Sequence, residues 1–176
     1  MPIMAEQIAP QDRLQPALLD RLTDDEPDKK LETREQRVLS KSRMRQAVLR
    51  DLAWLFNATR LEADLDLTGM PHARQSVINF GLPSLSGRLA SSLEVSDLER
   101  CVRQAILDFE PRIFPKTLRV TALVELSDLD HHNVIGIEIH GQLWAQPVPL
   151  DLLIRTEIDL ETGKVQIADL ASSRVV

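Results

Sequence analysis

Phe109-Glu110-Pro111-Arg112 is the point at which the chain changes period. Upstream, Leu98, Val102, Ala105, Ile106 and Phe109 recur at the spacing of one helix face. That helix is opened by Ser96-Asp97-Leu98-Glu99, whose serine and glutamate match the capping box that satisfies orphan backbone donors at a helix start. Downstream of Pro115 the period falls to two. Leu118, Val120, Ala122, Val124 and Leu126 alternate with Arg119, Thr121 and Glu125, and Ile135, Ile137 and Ile139 alternate with Glu138 and His140. Leu150, Leu152, Ile154 and Ile158 then alternate with Asp151, Arg155 and Glu157. The alternation predicts half-buried strands. Asp159-Leu160-Glu161-Thr162-Gly163 supplies turn chemistry before a shorter strand around Val165 and Ile167, so consecutive antiparallel pairing is the economical topology. Helices precede strands, which predicts an α+β fold with N-terminal helices packed on one face of a mostly antiparallel C-terminal sheet of about four strands.

The junction is electrostatically awkward. Glu110 falls at the helix C-terminus, where aligned peptide dipoles leave partial negative charge, and Arg112 is the cation nearest to it in sequence. Pro111 fixes its own φ and pushes Glu110 out of the α region, so the turn is stiff and holds both charges in a set geometry. Read from the residues alone, the corner is either a local Glu110–Arg112 pair or a charged surface offered to a partner.

Towards the N-terminus, Met44, Val48, Leu52, Leu55 and Phe56 predict a long helix from about Thr33 to Asn57, with Arg37, Lys41, Arg43 and Arg45 as a solvated face opposite an acidic linker. Leu67-Thr68-Gly69-Met70-Pro71 reads as a loop, and Ser76-Val77-Ile78-Asn79-Phe80 as a short helical or irregular block before Gly81-Leu82-Pro83. Leu14, Leu18 and Leu22 line one face of a short helix that Pro16 can start. It runs into Thr23-Asp24-Asp25-Glu26-Pro27-Asp28, an acidic segment that reads as a linker. This divides the chain into an N-terminal extension, residues 1–35, and one α+β domain, residues 36–176. The short helix is either a detachable amphipathic anchor or a piece packed on its own domain.

Composition excludes several functions. In 176 residues, 43% hydrophobic and 27% charged, there is room for one ordinary core, and the 3% of aromatics, with no tyrosine, offers few faces on which bases or sugars stack. A formal charge of -6 disfavours nucleic acid and anionic lipid, leaving proteins as the expected partners. Cys101, the single cysteine, sits in a helical pattern and reads as a buried thiol in a reducing compartment. No stretch has the pattern of a signal peptide or the length to span a bilayer, so a cytoplasmic protein without membrane insertion is expected. There is no Gly-rich phosphate loop, no zinc spacing and no Gly-x-Ser-x-Gly turn, so neither cofactor nor metal is expected. His131-His132, near Asp128 and Asp130, reads as an exposed polar turn. Glycoside hydrolysis needs two carboxylates across a cleft; Glu110 has no assignable partner, and Arg112 would hold it ionised, so no enzyme is expected.

Four runs, in order along the chain, carry a resemblance: Leu18-Leu19-Asp20-Arg21-Leu22, Val48-Leu49-Arg50-Asp51-Leu52-Ala53-Trp54-Leu55-Phe56-Asn57, Ser76-Val77-Ile78-Asn79-Phe80-Gly81-Leu82-Pro83, and Glu110-Pro111-Arg112. Together with the strand-rich C-terminal third they resemble the TssE family, phage baseplate-wedge proteins of the type VI secretion system once labelled lysozyme-like. The resemblance implies a structural role without enzymatic activity, in a cytoplasmic baseplate docked at the membrane. It implies the wedge subunits TssF and TssG, the baseplate subunit TssK and the sheath subunits TssB and TssC as partners. Glu110, Pro111 and Arg112 would meet the sheath, and Leu18, Leu19, Asp20, Arg21 and Leu22 the wedge. On that reading Arg112→Ala leaves the fold intact and abolishes sheath assembly. If Val165–Ile167 or Leu118–Leu126 forms a sheet edge, strand addition is a second route of recognition, with Lys164 and Asp169 as possible guards. An anti-adaptor-like regulatory binding protein of the same fold and a peptidoglycan hydrolase are the competing readings.

Overall fold

The alternation downstream of Pro115 becomes a meander of four strands in the order β1-β2-β3-β4. The computed structural model describes residues 17–23, 28, 40–85, 95–123, 134–145 and 148–170. Its helices are α1 (Leu18–Leu22), α2 (Lys41–Asn57), α3 (Pro71–Arg74) and α4 (Val95–Phe109), with 3-10 turns at Leu61–Ala63 and Val77–Asn79. The strands are β1 (Arg119–Leu123), β2 (Val134–Leu143), β3 (Leu150–Asp159) and β4 (Val165–Asp169), each antiparallel to the next. The α+β expectation, helices first and sheet second, describes the molecule.

Period two sends every second side chain to the same face. Ile135, Ile137, Ile139 and Leu143 of β2 and Leu152, Ile154 and Ile158 of β3 are buried there, in register such as Ile139 opposite both Val120 and Ile154. The helices cover this face. Met44, Val48, Leu52, Leu55 and Phe56 of α2 and Leu98, Val102, Ala105 and Ile106 of α4 join the strands in one apolar core. The β3–β4 turn is held by Asp159, whose carboxylate accepts from the backbone of Glu161 at 2.8 Å and of Thr162 at 3.2 Å, while Gly163 takes φ 72°.

Several expectations need correction. The long helix starts at Lys41, not near Thr33, because Ser40 is extended at ψ 153° and its hydroxyl accepts from the Arg43 N–H at 3.1 Å as an N-cap. Ser96 lies inside α4 and so is not its cap; Glu99 instead accepts from the backbone N–H of Ala122 at 2.7 Å. Cys101 is half-buried, as is Phe109, which meets Phe80 edge-on with centroids 5.3 Å apart. Arg45 is no part of a merely solvated face: it clamps α2 to the sheet through both oxygens of Asp169, at 2.6 and 2.7 Å, and the carbonyl of Asp151. Leu14, Pro16, Arg37, the linker residues 24–27, strand residues 124–126 and His131-His132 lie outside the described residues. Among the described residues no helix is long and apolar enough to cross a membrane.

Both outer strands are partly sealed by side chains. Asn57, at the end of α2, mimics a neighbouring strand: its Oδ1 accepts from Val165 N–H and its Nδ2 donates to the Val165 carbonyl, both at 3.0 Å. Glu99 does the same for one donor of β1. Between α2 and α4, residues 58–85 are pinned by Asn79, buried, which accepts from Glu62 N–H at 2.9 Å and donates to the Arg74 carbonyl at 3.0 Å. Gly81 then lets Leu82 bridge to Thr59: its φ is 128°, and a Cβ there would lie 2.3 Å from the carbonyl oxygen of Ala58. Gly69 has φ 86° with nothing within 4 Å of the same atom. Gly81→Ala should therefore cost on the order of 3 kcal/mol in urea unfolding and Gly69→Ala only about 1 kcal/mol, since strain is common to both and backbone collision is not.

Candidate docking site

α4 ends where Pro111 forbids its continuation, and the last helical hydrogen bond runs from Glu110 N–H to the Ile106 carbonyl at 2.8 Å. Glu110 is 3% exposed. A carboxylate buried at a helix C-terminus opposes both the dipole and its own desolvation, so it demands a cation at short range. Arg112 supplies it three ways. Its backbone N–H and its Nε donate to Glu110 Oε1 at 3.1 and 2.7 Å, and its terminal NH2 group donates to Oε2. The local pair that the residues alone suggested is thus present, and it fixes the corner.

The pairing does not stop there. The same Arg112 NH2 group donates to Asp51 Oδ2 of α2 at 2.6 Å. Asp51 Oδ1 accepts from Arg50 Nε and NH2 at 3.0 and 2.8 Å, and Arg50 NH1 donates to Asp20 Oδ1 of α1 at 2.6 Å. Burial alone would lower the pKa of Arg112; hydrogen bonds and charge from Glu110, then from Asp51, outweigh it and hold that pKa above the usual arginine value. The Arg50 pKa is also raised, first by its hydrogen bond to Asp20.

Backbone bonds fix the exit from the corner. The Arg112 carbonyl accepts from Trp144 N–H at 2.7 Å and Phe114 N–H donates to the Gln142 carbonyl at 2.9 Å, so Ile113 is bridged to Leu143 at the end of β2. This brings Trp144 opposite Trp54 of α2. Between them lies an apolar groove of about 480 Å³, lined by Phe80, Phe109, Pro111 and Arg112 and reaching Ala17 at the start of α1. Its tryptophans, the only two of the chain, are 52% (Trp54) and 41% (Trp144) exposed. Exposed indoles beside a stiff charged turn are the residue types from which protein interfaces draw their anchors.

α1 is attached through its polar side. Leu18 and Leu22 are 70% and 74% exposed, and Leu19 is 44% exposed, so the leucines face outward. Asp20 faces α2, and the helix is closed by Thr23, whose N–H and hydroxyl both donate to the Leu19 carbonyl at 3.0 Å. Of the residues expected to bind partners, Leu18, Leu19 and Leu22 are therefore presented, Asp20 is a tether, and the Arg21 side chain lies outside the described residues. Glu110, Pro111 and Arg112 all line the groove: Glu110 as a buried internal brace, Arg112 half-buried and Pro111 exposed.

Sequence reasoning gave no site role to Arg50, Asp51 and Trp54, which it quoted only within a run carrying the resemblance, and did not single out Trp144. A signal was present for one of them: Trp54 follows Arg50 by one helical turn in an aromatic-poor chain, and in the structure the Arg50 guanidinium lies 5.1 Å from its ring centre. The strand edges are open to addition at neither Val165, bonded to Asn57, nor Ala122 N–H, bonded to Glu99. Among the described residues no group of acidic, histidine or cysteine side chains has the arrangement of a metal site.

A family model described as baseplate wedge protein gp25 matches residues 42–148, more than half of the chain. No curated protein and no solved structure matches it. The matched segment contains the corner, Arg50, Asp51 and both tryptophans, and leaves α1 outside.

Because Arg112 neutralises a buried carboxylate, Arg112→Ala is not the inert surface change expected from the turn alone. It should lower the unfolding free energy by about 3 kcal/mol, and adding Glu110→Leu should return at least half of that loss, since the unpaired buried charge is then gone. Urea unfolding of the single and double variants measures both.

Proposed function

The chain belongs to the baseplate wedge protein gp25 family, and from that premise we propose that it is the TssE-like wedge subunit of a type VI secretion baseplate. In this role it joins the wedge subunits TssF and TssG, beside TssK, to the first ring of the TssB and TssC sheath. The baseplate would stand on the cytoplasmic side of the membrane to which it is docked. The observation that carries the reading is the pair of neighbouring exposed surfaces: the outward leucines of α1 and the tryptophan-rimmed groove beside Pro111 and Arg112. A chain that joins two partners needs two such faces on a stiff body.

Each face has a distinct chemistry. Leu18, Leu19 and Leu22 offer a small apolar ridge for the wedge subunits, and Trp54, Trp144, Pro111 and Arg112 offer a larger apolar groove with a fixed cation for the sheath. Glu110 is 3% exposed with both oxygens engaged by Arg112, an arrangement that argues against a hydrolase's proton donor.

Paired Leu18→Asp and Leu22→Asp substitutions should leave the urea midpoint unchanged and abolish co-purification with TssF and TssG. Trp144→Ala should spare wedge co-purification and abolish sheath assembly, scored by imaging labelled TssB in cells. Normal sheaths with a folded Trp144→Ala protein would overturn the assignment of the groove, and intact wedge capture by the leucine variant that of α1.

A further inference from the structure

Asp20, Arg50, Asp51, Arg112 and Glu110 form one unbroken file of ion pairs that starts on α1 and ends at the corner. It joins the two faces assigned above to different partners. The members come from three places far apart in sequence, yet the middle of the file is two adjacent residues on the rigid α2. Adjacent helical residues do not face each other, so the Arg50 side chain reaches Asp51 only by folding back. Trp54, one turn on, lies 5.1 Å beneath its guanidinium and holds it there.

Asp51 divides its carboxylate, Oδ1 to Arg50 and Oδ2 to Arg112, so one rigid group orients two guanidiniums. Arg50 is divided likewise, with Nε and NH2 on Asp51 and NH1 on Asp20. Only the α1 end is weakly fastened: Asp20 uses one oxygen, and its buried Oδ2 has no hydrogen-bond partner among the described residues. If α1 lifts, Arg50 loses a carboxylate and leans harder on Asp51, which then competes with Glu110 less effectively for Arg112.

We propose that Arg50 and Asp51 are positioning residues that couple the seating of α1 to the orientation of Arg112, so that a partner bound to one face tunes the other. The proposal rests on the reading of the two faces as docking surfaces. By linkage the effect runs equally in both directions.

The test needs no partner, so its failure is distinct from a failure of that reading. In the full chain labelled with ¹⁵N-arginine, NMR resolves the Nε–H groups of Arg50 and Arg112 and their exchange with solvent. Arg112 Nε–H donates to Glu110, so Asp20→Asn, at the far end of the file and outside the core, should slow Arg112 Nε–H exchange about five-fold as Asp51 competes less for the guanidinium, the lower end of measured couplings between sites. In an Asp51→Asn background the same Asp20→Asn change should leave Arg112 unmoved while still altering Arg50. Leu18→Asp, on the outward face of α1, should change neither. Unaltered or faster Arg112 exchange in Asp20→Asn, or an equal slowing with and without Asp51, would overturn the coupling; a purely structural Asp51 predicts the equal slowing.

Discussion

Everything in this molecule turns on a carboxylate placed where it is least welcome. Glu110 closes α4, sits among apolar side chains at 3% exposure, and meets the negative end of the helix dipole. Arg112, the cation nearest to it in sequence, answers it, and answering it sets the path of the chain. Pro111 stops the helix, the Arg112 N–H and side chain fold back onto Glu110, and the Arg112 carbonyl is then aimed at Trp144 N–H. One electrostatic requirement thereby converts helix into sheet and brings the two tryptophans to the same groove. Its contribution to net stability is small or even unfavourable, as for most buried ion pairs; what it confers is a single geometry.

The sheet edges complement that arrangement. A four-stranded meander has two open edges, which invite strand addition or aggregation. Here the helices that cover the apolar face also reach round the edges: Asn57 occupies both backbone groups of Val165, Glu99 takes the N–H of Ala122, and Arg45 ties Asp169 to α2. Recognition is thereby directed towards side-chain surfaces, and the exposed tryptophans Trp54 and Trp144 lie beside the corner.

The order of elements and the core were legible because they depend on local period. Leu152, Ile154 and Ile158 had to share a face once β3 existed, and Val48, Leu52 and Leu55 had to share another. The stiff corner was legible for the same reason, since Glu110, Pro111 and Arg112 are neighbours. Where reading failed, a side chain had a distant partner. Ser96 and Glu99 have capping-box spacing, but that spacing also occurs within a helix, and Glu99 is spent on a strand residue 23 positions away. Arg45 looked like solvated charge because its partner Asp169 is 124 positions distant. Arg50 and Asp51 drew no reading of their own, because nothing local says that they lie between Asp20 and Arg112.

The orientation of α1 follows from the same distinction. Its leucines repeat along one face, and the usual inference is that such a face is buried against the domain. A helix of five residues, however, is far too short to persist alone in water. It survives only while something external holds it, and here the hold is an ion pair, Asp20 to Arg50, with the leucines left outside. An apolar ridge fastened by its polar side is already shaped and oriented for a second surface, so the ordering cost of presenting it falls within the fold and not on the binding step. That hold belongs to the same file of charges as the corner, which places the seating of the ridge under the influence of the buried carboxylate at the other end.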